Sequence, residues 1–137
     1  MNTQQIELVK STWGYVLAHS GEAMELFYGR LFEIAPEVRP LFKEDIKIQA
    51  QKLKKMVTLI VAKLNKLEEI ENEIKYLAQK HEGYGAKPEH YHIVGEALLW
   101  TLEKGLKDRW TDEVKEAWVA VYSILSNAMI KVVKPST

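Results

Sequence analysis

The chain has 137 residues, a length that fits one domain around a single core. Hydrophobic residues make up 47% and charged residues 28%, which excludes a disordered chain, and 19 Lys and Arg balance 19 Asp and Glu, so no basic excess argues for nucleic acid or an anionic membrane as partner. Cysteine is absent, which removes disulfides, zinc–thiolate and iron–sulfur centres, and any cofactor tethered through a CxxCH motif. The longest apolar runs, such as Thr58 to Ala62 and Ala97 to Trp100, fall far short of a bilayer span. Met1 to Lys10 carries no signal-peptide pattern, so a cytoplasmic location is expected.

Taken in order, the chain reads as helices. Ile6, Val9, Trp13 and Val16 recur at helical spacing and predict the first, with Thr3 as its N-cap. Ser20-Gly21 breaks it, and a second helix is expected over residues 22–35. Pro36 and Pro40 bound a short irregular turn that leads to Leu41 and Phe42. Ile46, Leu53, Val57, Ile60 and Leu64 form one stripe and predict a third helix over 46–64. A fourth is expected over 69–80, carrying Ile70, Ile74 and Leu77. Pro88 opens a fifth through Tyr91, Val94, Leu98 and Leu102, in which Gly95 permits close contact with a neighbouring helix. Thr111-Asp112-Glu113 is an N-terminal signature for the last, which carries Val114, Ala117, Val121, Leu125 and Ala128. No period of two and no internal repeat occurs, so the fold class is all-α. Unequal helix lengths and irregular connections argue against an up-down four-helix bundle.

Two residues are out of place on these stripes. His81 follows Leu77 by four residues, on the core-facing side of a last helical turn ahead of Gly83 and Gly85. Taken alone it suits a histidine that satisfies the helix dipole or a core carbonyl; the alternative is an iron ligand. Gln49 lies three residues after Ile46 and four before Leu53, where an unpaired buried amide would cost roughly 1–3 kcal/mol. It either reaches water at the stripe's edge or bonds to something inside; two polar side chains turned inward from separate helices suggest a lined cavity. Other clusters carry less. His90 and His92 flank Tyr91 and point in different directions, His19 reads as a solvated helix cap, and Glu68, Glu69, Glu71 and Glu73 read as a solvated helix start. The chain contains no glycine-rich phosphate loop, GxSxG or HExxH.

An ordered set of separated motifs then carries a resemblance. Phe27-Tyr28, Ala35-Pro36-Glu37-Val38-Arg39-Pro40-Leu41-Phe42, Gln49 with Leu53, Gln79-Lys80-His81, and Pro88-Glu89-His90-Tyr91 before Ile93-Val94-Gly95-Glu96 together resemble the globins. The nearest likeness is to single-domain bacterial haemoglobins and the globin domain of flavohaemoglobins. The stretch from Trp110 to Met129, with Ala117-Trp118 and Tyr122, is also similar to neuroglobin-like sequences. The resemblance implies a globin fold of six to seven helices over residues 1–137, holding a non-covalent haem b, with no reductase domain.

Carried over residue by residue, it makes His81 the proximal iron ligand, Phe42 the ring on the distal haem face, Gln49 the distal polar residue and Tyr28 a second distal donor. Leu53 would wall the gas side, Val57 would contact the haem, and Leu77 and Val94 would line the proximal side. Lys52 is a candidate for a propionate, with a solvated lysine an equal alternative. Tyr91 matches the tyrosine that backs the proximal histidine, whereas Val133 stands where a backing glutamate is expected, which weakens the push toward O–O cleavage. The implied function is reversible binding of O2, NO and CO at ferrous iron for oxygen transport or storage, by a monomer or homodimer. The alternative is a nitric oxide dioxygenase served by a separate reductase. Gas or redox sensing is less favoured, because Gln49 stands where a coordinating distal histidine would be; five-coordinate ferrous iron is expected.

Overall fold

The computed structural model describes residues 2–19, 22–42, 45–83 and 88–133, excluding the side chains of 81–83, 88–89 and 130–133. Among these residues there are six α-helices, three short 3-10 stretches and no strand. The helices are α1 (Thr3–His19), α2 (Ala23–Ile34), α3 (Ile46–Ala62), α4 (Glu71–Gly83), α5 (Pro88–Leu106) and α6 (Asp112–Val133).

Their boundaries follow local chemistry. The N-terminal cap is Asn2, not Thr3: Asn2 Oδ1 accepts from the Gln5 N–H at 2.8 Å while Gln5 Oε1 accepts from the Asn2 N–H at 3.2 Å, a reciprocal capping box. Asp45 Oδ1 accepts from the Lys47 N–H at 2.8 Å and starts α3, and Thr111 Oγ1 accepts from the Val114 N–H at 3.2 Å and starts α6. α3 stops at Ala62, short of the predicted Leu64, although Leu64 remains buried. The predicted start of the fourth helix divides into a 3-10 stretch, Leu67–Ile70, and α4 proper. Glu68, Glu69, Glu71 and Glu73 are exposed there, and Glu69 pairs with Lys63 at 2.8 Å. His19 is also exposed, bonded to the Tyr15 carbonyl at 3.1 Å and stacked on its ring.

The helices bury the faces that their spacing marks. Val9, Thr12, Trp13 and Val16 of α1 and Ala23, Met24, Phe27, Tyr28 and Leu31 of α2 lie in one core with Ala97, Leu102, Val114, Ala117 and Trp118. α2 packs on α5, and α1 on α6. Polar groups stitch this core together: Trp118 Nε1 donates to Thr12 Oγ1 at 2.9 Å, and Trp13 Nε1 donates to Thr58 Oγ1 at 3.1 Å. α3 packs on α2 and α1, and α4 on α6; no comparable packing joins α3 to α4 among the described residues. The helices that carry Gln49 and His81 therefore stand apart. No helix among the described residues is long and apolar enough to cross a membrane.

Candidate functional site

The polar centre of the site is a pair contributed by two helices. Tyr28, on the inner face of α2, is only 3% exposed, and its hydroxyl is hydrogen-bonded by the Gln49 side-chain amide from the first turn of α3. Burial pushes the phenol up to about 12, with the bond from Gln49 opposing the shift. The hydroxyl therefore stays protonated at neutral pH and remains a donor. Gln49 is half-buried, which settles the choice left open by its position on the stripe: its amide has an interior partner.

Aromatic rings enclose the pair. The Phe42 ring meets Tyr28 edge-on at 5.3 Å and Phe32 at 5.5 Å between centroids, and Phe27 lies edge-on to Tyr28 at 4.9 Å. Arg39 clamps the turn that delivers Phe42, donating to the Phe42 carbonyl at 3.0 Å with its guanidinium 5.0 Å from the Phe32 ring. Phe27, Phe32 and Arg39 belong to this enclosure and were not picked out as site residues from the sequence. The signal was present in the spacing of Tyr28 and Phe32, four apart on one helix.

Around this centre the apolar stripes are incompletely covered. Phe42 ahead of α3, Leu53 and Val57 of α3, Leu77 of α4 and Val94 of α5 are all half-buried and packed against the core. Tyr91 is 9% exposed in the first turn of α5. Lys52 is exposed on α3. The backbone of His81 lies in the last turn of α4, as its spacing predicts, and its imidazole lies outside the described residues, as does the side chain of Val133. His90 and His92 are not brought to a common point: His92 is exposed and pairs with Glu96 at 3.1 Å.

The arrangement suits a flat, mostly apolar molecule set between α3 and α4, with hydrogen-bond donors on its α2–α3 side. The globin family model matches residues 25–129. The flavohemoprotein of Bacillus subtilis (strain 168) is 31% identical over 137 residues, covering 98% of this chain and 34% of the relative. A globin-like protein of Aquifex aeolicus (strain VF5) is 31% identical over 134 residues, covering 98% of this chain and 95% of the relative. Among solved structures, a bacterial globin from Campylobacter jejuni superposes with a TM-score of 0.84 at 24% identity, covering 96% of this chain and 95% of that one. An engineered carbene transferase from Rhodothermus marinus, a proposed nitric oxide dioxygenase, superposes with a TM-score of 0.86 at 23% identity, covering 96% and 92%. The chain belongs to the globin family and has the all-α globin fold.

Membership implies a non-covalent haem, and the half-buried apolar side chains and the Tyr28–Gln49 pair fit one. The flavohemoprotein relatives are longer, and this chain spans 34% of the one from Bacillus subtilis.

Proposed function

We propose that this chain binds haem b through His81 and converts nitric oxide and dioxygen to nitrate, drawing one electron per turnover from a reductase. The observation that carries this reading is the Tyr28 hydroxyl, buried among aromatic rings and bonded to Gln49. Reversible oxygen carriage, the first expectation from the resemblance, uses the same pocket. The flavohemoprotein relatives and the Rhodothermus neighbour weigh toward nitric oxide chemistry instead.

Haem would supply a ferrous iron with one position open to a diatomic gas. The chain supplies the rest. His81 would hold the iron from the α4 side, with Leu77, Tyr91 and Val94 on that wall. Phe42, Leu53 and Val57 would exclude water from the opposite side, raising the strength of every hydrogen bond there. The Tyr28 O–H and the Gln49 amide N–H groups would supply the donor capacity on this side. Donors fixed in a dry pocket stabilise negative charge developing on a bound gas, and they do so without reorganising. Oxygen gains from this and carbon monoxide, which develops little such charge, gains far less. Lys52, exposed on α3, would pair with a propionate at the rim.

The test is nitric oxide consumption by the haem-loaded protein with a flavin reductase and reduced nicotinamide. Many turnovers per haem with one nitrate formed per nitric oxide are expected. Consumption that halts after one turnover while the iron is still being re-reduced would overturn the enzymatic reading and leave oxygen binding.

A further inference from the structure

α3 has two sides of opposite character. Gln49, Leu53 and Val57, spaced four apart, are half-buried on one side, whereas Lys47, Ile48, Gln51, Lys52 and Lys55 are exposed on the other. The helix, Ile46–Ala62, carries four lysines and no Asp or Glu. Cations elsewhere meet carboxylates on their own element or the next: Arg30 pairs with Glu33, Lys63 with Glu69 at 2.8 Å and Lys75 with Glu71 at 3.4 Å. Positive charge is therefore concentrated on one helix of a chain whose 19 cations and 19 anions cancel. Among these lysines Ile48 is 53% exposed. An apolar contact ringed by charge is the anatomy of a protein–protein interface.

We infer that this outer face of α3 docks an electron-donating flavoprotein with an acidic surface. The inference rests on the reductase requirement of the proposed function. A uniformly positive face complements an acidic partner and steers its approach, and Ile48 adds a contact that salt does not screen. Position matters as much as charge. Leu53 and Val57 on the inner side are the proposed haem wall, and a helix with its side chains is roughly 10–12 Å across, so a flavin seated outside is about one helix from the haem. One electron leaves the reduced flavin, which is oxidised by that electron, and ferric haem iron becomes ferrous; no atom is transferred.

Flavodoxin, a small acidic protein that donates single electrons from FMN, is the probe. The double variant Lys47→Glu/Lys55→Glu reverses charge at two exposed positions outside the haem wall. Calorimetric titration of the ferric haem-loaded protein with flavodoxin at low salt should give a dissociation constant higher by about ten-fold or more in the variant, and wild-type affinity should fall steeply as salt rises. In stopped flow, haem reduction by reduced flavodoxin should slow by a similar factor. Reduction by free reduced riboflavin, too small to need the face, should be the same in both proteins. Equal flavodoxin affinity for wild type and variant would overturn the inference. So would binding to phosphatidylglycerol vesicles without binding to flavodoxin, which would give the face to a membrane. Flavodoxin binding that is lost in the variant, in a wild type that halts after one nitric oxide turnover, would uphold the docking face and remove only the enzymatic reading.

Discussion

In the proposed function, Tyr28 is the residue on which gas selectivity turns. A phenol buried to 3% exposure normally needs a partner, and Gln49 supplies one. Tyr28→Phe keeps the ring contacts to Phe27, Phe32 and Phe42 and removes only the donor. One such hydrogen bond is worth about 1 kcal/mol, roughly a five-fold change in rate. Oxygen dissociation from the haem-loaded variant, followed by stopped flow, should therefore be several-fold faster, with carbon monoxide dissociation nearly unchanged; an oxygen off-rate equal to wild type would remove the tyrosine from that role. At this scale the sequence was informative where chemistry clashed with position. Gln49 on an apolar stripe betrayed an interior partner, whereas the Phe32 and Arg39 contacts involve residues unremarkable for their place.

At the scale of elements, α1 is tied to α6 and α3 by two indoles that each end on a threonine. Thr12 Oγ1 donates to the Leu8 carbonyl at 2.6 Å and accepts from Trp118 Nε1 at 2.9 Å, all inside the core, with the Trp13 and Trp118 rings edge-on at 6.1 Å. Thr12→Val keeps the shape and orphans the indole N–H, at a cost of about 1–3 kcal/mol, while Thr12→Ser should retain the bond. Urea unfolding of the two variants checks this: a lower midpoint for valine than for serine is expected, and equal midpoints would show that the bond carries no net stability. Helix spans were legible because their apolar faces repeat at three and four residues. Ends were less so. Asn2 and Thr3 both suit a cap, and only the Gln5 side chain reaching back decides for Asn2. The 3-10 turn before α4 has the same apolar spacing as the helix it precedes, so periodicity could not separate them. The hydrogen bond from the Tyr122 hydroxyl to the Tyr91 carbonyl spans 31 residues of chain, beyond any local pattern, and Gly95, against which the Tyr122 ring packs, was its one visible trace.

For the whole molecule, all six helices share one core, whereas α3 and α4 stand apart from each other among the described residues and carry half-buried Leu53, Val57 and Leu77 along the slot between them. A ligand that fills such a slot and binds only the folded chain adds stability in proportion to its affinity. The absorption spectrum of the hemin-loaded, reduced protein under argon, compared with that of His81→Ala, tests the central claim most directly. A five-coordinate high-spin ferrous spectrum in the wild type that is lost in the variant is the predicted result. A wild-type protein that takes up no hemin, or bands left unchanged by His81→Ala, would contradict it.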